Sequence, residues 1–184
     1  RAYVSKFLDR DKNGSLDQSE LDGVKEISND FTFMPPDGKN VKTPDGEEVP
    51  DSADLPKFKN LKGIELFKNL EQLHVVNNEI TDLDISQNTK LKLLDCKFNK
   101  LTRLDVSQNK ALTGFYCNNN ELESLTIGNL PVLMGFRCHD NKNLTSLDVT
   151  QAPNLQHLYC NSTGITALDL SENPLLETLD CNTT

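Results

Sequence analysis

The chain has no apolar run approaching the roughly 18 residues that a membrane-spanning helix needs. It also lacks a basic excess: 19 Lys and Arg stand against 28 Asp and Glu, for a net charge of −9. Nucleic acid is therefore disfavoured as a partner, because phosphate binding draws on clustered Lys and Arg. No Gly-rich phosphate loop occurs, and no Gly-x-Ser-x-Gly nucleophile elbow. No signal peptide is visible, and a first residue of Arg rather than Met fits prior removal of a targeting segment. The acidity is uneven. Residues 1–55 hold 13 acids and 7 bases, −6, so most of the imbalance lies in the N-terminal third.

What the chain has is a repeat. Five cysteines fall at 96, 117, 138, 160 and 181, at intervals of 21, 21, 22 and 21 residues. Each ends a phrase that opens on Leu and has Leu or Phe three residues later: Leu91 to Cys96, Leu112 to Cys117, Leu133 to Cys138, Leu155 to Cys160 and Leu176 to Cys181. An earlier copy, Leu70 to Val75, has Val in the Cys slot. A period near 21 marks a solenoid, in which each unit buries its apolar face only by stacking on its neighbours.

Within each phrase the fourth and sixth positions alternate with polar third, fifth and seventh positions. That period of two predicts a strand with one face buried, over 72–76, 93–97, 114–118, 135–139, 157–160 and 178–181. Asn78, Asn99, Asn120 and Asn141, with Thr163 in the same slot, are placed to bond backbone groups that a tight bend leaves unpaired. A second apolar stretch, as in Leu101, Leu104 and Val106, fills the other half of the coil. The extra residue near Asn143 should bulge a loop without breaking the stack.

The cysteines read as core. Stacked coils place them about 4.8 Å apart with parallel Cβ vectors, outside the usual disulfide range of roughly 3.5–4.5 Å. A straight column also cannot converge on a metal. Buried free Cys packs as a small hydrophobe.

This pattern resembles bacterial leucine-rich repeats, most closely the short cysteine-ladder kind found in some listerial internalins, and is similar to surface leucine-rich repeat proteins of gut anaerobes. The resemblance covers roughly residues 58–184 and departs at Val75, at Thr126-Ile-Gly128 and at Thr163. It implies a right-handed α/β-type solenoid, mostly β, acting as a secreted or bacterial cell-surface adhesion module.

Residues 9–20 match the twelve-residue EF-hand loop. Asp9, Asp11 and Asn13 would supply side-chain oxygens to Ca2+, Ser15 a backbone carbonyl, Asp17 a direct or water-borne contact, and Glu20 two closing oxygens. Gly14 permits the sharp turn. Leu21, Val24 and Ile27 give an apolar face at helical spacing downstream. The plainer alternative is an acidic turn, since no second loop pairs with this one. Five prolines and two Pro-Asp-Gly turns follow within 28–57. Residues 1–57 are expected to cap the stack, and 58–184 to form the repeat domain. No comparable cap is visible at the other end, so a continuation is expected there.

On the outward face, position five reads His74, Asp95, Tyr116, Arg137, Tyr159 and Asp180; position three includes Gly114, Gly135 and His157; position seven includes His139. Tyr and Arg are favoured at interfaces, so His74, Tyr116, Arg137, His139, His157 and Tyr159 form a candidate partner-binding face. Gly114 and Gly135 should leave a shallow gap beside Tyr116 and Arg137. Ordinary solvated surface is the competing reading. Catalysis is not expected. His139 and His157 lie roughly 13–14 Å apart by strand geometry, and Asp95 and Asp180 about 19 Å, whereas paired glycosidase carboxylates lie within roughly 10 Å. The expected function is recognition of a protein ligand, such as a host surface protein, by a monomer. Glycan capture and a spacer role are the alternatives.

Overall fold

The computed structural model describes residues 17–28 and 57–182. Six coils of the repeat each contribute one short strand to a parallel sheet: β2 (Gln72–His74), β3 (Leu93–Asp95), β5 (Gly114–Tyr116), β7 (Gly135–Arg137), β8 (His157–Tyr159) and β9 (Thr178–Asp180). Pairing is in register throughout, so Leu73, Leu94, Phe115, Phe136, Leu158 and Leu179 are successive partners. The chain is a mostly-β parallel solenoid, as the alternating pattern predicts. Regular strands are three residues long, shorter than expected, but main-chain bonds continue past them. Cys96, Cys117, Cys138 and Cys160 each donate an N–H to the next coil, at 2.8–2.9 Å.

The second apolar stretch forms the opposite side. Regular pairing there joins two coils, through β4 (Arg103–Asp105) and β6 (Ser124–Thr126), and an isolated bridge joins Asn60 to Asp82. Between the two sides lies one continuous core that includes Leu91, Leu101, Leu112, Leu122, Leu133 and Leu144, all inaccessible to solvent. Each such Leu contributes about 1.5–3 kcal/mol relative to exposure. The thiols of Cys96, Cys117, Cys138 and Cys160 are buried within it and unpaired. Burial pushes the first three far above the usual thiol range, and Cys160 up to about 11. Cys181, in the last coil, is exposed, and Leu175 and Leu179 beside it are exposed too.

Five of the six coils turn through one left-handed residue each: Asn77, Phe98, Asn119, Asp140 and Ser162, with φ of 55–57°. The 22-residue coil absorbs its extra residue in a turn closed by Leu144 N–H donating to the Asn141 carbonyl. The stack continues across it through the Asn141–Thr163 bridge. The departure at Gly128 has a local reason. Its φ is +59°, and a Cβ there would lie 2.7 Å from Ser107 Cβ of the preceding coil.

One segment differs from expectation. The helix after the acidic loop, α1 (Gln18–Asp22), ends within five residues, and Ile27 lies instead in β1 (Glu26–Ser28). The chain was free to leave the helix at Gly23, where the Lys25 carbonyl meets Glu71 and Gln72 N–H at 2.7 and 2.9 Å. From there β1 adds itself to the edge of β2, Glu26 opposite Gln72. Leu21 and Val24 still bury against the first coil. Main-chain pairing at an open sheet edge outweighed the local helical period, because an uncovered edge leaves its donors and acceptors unpaired. Glu71 adds a charged tie, bonding Lys92 at 2.6 Å and Lys25 at 3.0 Å. Those two ammonium groups, Lys92 first, hold its carboxyl down at about 2.

Candidate functional site

The sequence Gly-Phe-Tyr at 114–116 stacks on Gly-Phe-Arg at 135–137. Strand alternation turns Phe115 and Phe136 inward, where their rings stack with centroids 5.0 Å apart and planes 6° from parallel. The flanking residues face outward. Registry through β8 then sets Tyr116, Arg137 and Tyr159 side by side in one row. The Arg137 guanidinium carbon lies 5.3 Å from the Tyr116 ring centroid and 5.0 Å from that of Tyr159. Both distances fall within cation–π range. Arg137 is exposed, whereas both tyrosines are partly buried.

In the same row Asp95 flanks Tyr116 and Asp180 flanks Tyr159, so the sandwich sits between two acids. Asp95 is engaged: Lys97 Nζ bonds its Oδ2 at 2.9 Å, and only 7% of Asp95 is accessible. Arg137 has no carboxylate within ion-pair distance among the described residues.

The gap expected at Gly114 and Gly135 is present but partly filled. A Cβ at Gly114 would lie 2.8 Å from Leu93 Cδ1 and 3.2 Å from Tyr116 Oη; one at Gly135 would meet Tyr116 Oη at 3.8 Å. Tyr116 therefore leans along its strand across both glycines. What remains is an open depression of about 450 Å3 lined by Leu93, Tyr116, Met134, Gln156 and His157 among others. Met134 and Gln156 belong to position two of the coil, which column reading at positions three, five and seven did not cover. Reading position two the same way would have found both. Met134 is 44% exposed.

The histidines do not converge. His157 borders the depression and its Nδ1 lies 3.2 Å from Thr178 Oγ1. His74 sits in the same row as Tyr116 but with β3 between them. His139 lies beyond Cys138 at the strand's far end, its Nε2 3.8 Å from Asp140 Oδ2. Among the described residues no three His, Cys, Asp or Glu gather as metal ligands.

Of the proposed calcium ligands, Asp9, Asp11, Asn13 and Ser15 lie outside the described residues. Asp17 and Glu20 are described and share the first turn of α1. Asp17 Oδ1 accepts from Glu20 N–H at 3.0 Å, and Glu20 Oε2 accepts from Asp17 N–H at 3.1 Å, a capping box. The Ser19 hydroxyl, then the Glu20 N–H, hold the Asp17 carboxyl below its usual range. Two carboxylates gathered at a helix start, with Glu20 only 6% exposed, are of the type a calcium loop's closing positions require.

No protein-family model matches the chain, and no curated protein does. Among solved structures, its fold is similar to that of internalin F from Listeria monocytogenes, with 19% identity and a TM-score of 0.52, over 95% of this chain and 53% of that one. The functional domain of InlJ from Listeria monocytogenes, which includes a cysteine ladder, is 26% identical with a TM-score of 0.49, over 91% of this chain and 46% of that one. The chain thus spans about half the length of these two. The solenoid fold is that of the internalins.

Proposed function

We propose that this protein is a non-catalytic recognition module that binds a protein partner through the open face of its parallel sheet. The observation that carries the reading is the Tyr116–Arg137–Tyr159 sandwich, an assembled cluster of hot-spot residue types on the outward face of the sheet. Both tyrosine rings already give a face to Arg137, which favours a protein partner over a glycan that would stack on them. The resemblance of the repeat phrase to bacterial surface leucine-rich repeats supports action outside the cell, secreted or at the surface.

The test is binding to a panel of extracellular proteins. Replacing Tyr116 and Arg137 with Ala should abolish the saturable interaction found there and leave the melting temperature nearly unchanged. Equal loss from Arg103→Ala, on the opposite sheet, would overturn the assignment.

Calcium in the 9–20 loop is the second part of the proposal. Asp9, Asp11, Asn13, Ser15, Asp17 and Glu20 would hold the ion, whose part is structural: it offsets repulsion among the loop's carboxylates. Binding to the folded state alone stabilises by about 2.7 kcal/mol at a hundredfold excess over Kd. Chelation should lower the melting temperature, and Glu20→Gln should remove most of that response. A calorimetric titration without calcium uptake at millimolar concentration would reduce the loop to an acidic turn.

A further inference from the structure

Arg137 is held in an unusual way for an exposed side chain. Its guanidinium carbon sits between two tyrosine rings, 5.3 and 5.0 Å from their centroids, and no described carboxylate lies within ion-pair distance, so its N–H donors are left to a ligand. A guanidinium edge matches the two oxygens of a carboxylate or phosphate in a forked, bidentate pair. The rings hold the side chain in place in advance, so less of its freedom is lost on binding. The neighbours in the row choose between the two anions. Asp95 and Asp180 flank the sandwich on either side. Asp95 is already paired with Lys97, and one free cation with Asp180 in the same row suits a single negative charge better than the two of a phosphate.

Beside this row lies the depression over Gly114 and Gly135, with Leu93 and Met134 as apolar walls. Positions three and five of one strand are two residues apart, about 6.6 Å by strand rise. An extended segment carrying an apolar side chain two residues from an acid would place one in the depression and the other on Arg137.

We propose that Arg137 is a carboxylate clamp that receives an Asp or Glu of the protein partner, with a neighbouring apolar side chain of that partner seated over Gly114 and Gly135. This rests on the reading of the sheet face as the partner surface and names the chemistry of what it takes.

The probe is the capped tripeptide acetyl-Leu-Ala-Glu-amide, titrated into the full chain with the Arg137 Nε–H and Met134 methyl signals followed by NMR. Both should shift together and saturate, while the Arg103 Nε–H stays still. The Glu→Gln peptide should bind at least about tenfold more weakly, as should the Glu peptide to Arg137→Lys, which keeps the charge but loses the fork. Equal binding of the Glu and Gln peptides would overturn the clamp, as would Arg137 signals that never move. Glucuronate shifting the same signals more strongly than the peptide would assign the clamp to acidic glycans and overturn the protein partner. The two readings separate cleanly. If alanine at Tyr116 and Arg137 abolishes partner capture but the peptides do not differ, the clamp falls and the face stands. If the peptides differ but capture survives both substitutions, the partner surface lies elsewhere.

Discussion

Two columns of buried asparagine run through the solenoid, and they are built differently. The first, at the turn after each sheet strand, is Asn78, Asn99, Asn120 and Asn141. Asn120 is typical: its Nδ2 donates to the carbonyls of Cys96 in the preceding coil and Cys117 in its own, at 3.1 and 3.0 Å, while its Oδ1 accepts from Leu101 N–H at 3.0 Å. Asn99 and Asn141 repeat the arrangement. The second column, on the way back to the next strand, is Asn88, Asn109 and Asn173. Each donates to two carbonyls, as Asn109 does to Ile85 and Asn88 at 3.0 Å, but each Oδ1 is buried without a partner. Where both ends of the amide are used, the slot admits Asn or, at Thr163, a hydroxyl that also both donates and accepts. Where only the donor end is used, buried Leu130 and Ala152 occupy the same slot. A residue type alone does not say how much it holds; the count of satisfied ends does.

The largest effect expected is on Asn120→Ala. It leaves the Leu101 N–H without a partner, while the Cys96 and Cys117 carbonyls each keep one donor, from Asn99 and Asn141 Nδ2; an unsatisfied buried group costs about 1–3 kcal/mol. With the two lost amide bonds added, a loss of about 2–4 kcal/mol should appear in urea unfolding. Asn109→Ala strands no group, since the Ile85 and Asn88 carbonyls keep the Asn88 and Leu91 N–H donors, and it removes an orphaned oxygen, so a loss of only about 1 kcal/mol is expected. Equal losses at the two sites would erase the distinction drawn between the columns.

The first column was legible in the sequence because it repeats one letter at one spacing. The second was not, although Ser-Gln-Asn recurs at 86–88 and 107–109 and Ser-Glu-Asn stands at 171–173. Leu130 and Ala152 interrupt it, and a slot that tolerates apolar residues hides its pattern. The sheet and its register were legible for the same reason as the first column: a one-residue slip would turn Leu94 and Cys96 outward. The strand β1 was not, because Leu21, Val24 and Ile27 fit a helical period and its pairing partner lies more than forty residues away. Of the site, the row Tyr116, Arg137 and Tyr159 followed from registry. The lean of Tyr116 over the glycines did not, since it depends on side-chain packing that no column records.

The cysteine column extends the same test to a second residue type. Cys96 Sγ lies 3.5 Å from the Tyr116 carbonyl, so a hydroxyl there has an acceptor within reach. Cys117 is fully buried with no such bond. Burying an unpaired hydroxyl costs about 1–3 kcal/mol in proteins. Cys117→Ser should therefore lose about 2 kcal/mol, and Cys96→Ser about half of that, in the same urea experiment. A larger loss at Cys96 would mean that packing, not hydrogen-bond satisfaction, sets the tolerance of these slots.

The smallest effect concerns the residue immediately before the first column. Asn77, Asn119 and Asp140 take the left-handed conformation easily, because a short polar side chain tolerates it. Phe98 takes it at φ 57° with about half its side chain in water. A bulky residue there is strained by roughly 1–2 kcal/mol, and little burial offsets it. Phe98→Asn should therefore stabilise the protein by about 1 kcal/mol, or roughly 2–4 °C in melting temperature for a chain of this size. The Asn99 bonds should survive the change, since Asn119 precedes Asn120 in the same way. A fall in melting temperature would show that Phe98 packs onto the stack more than its exposure implies, and that the first column depends on it.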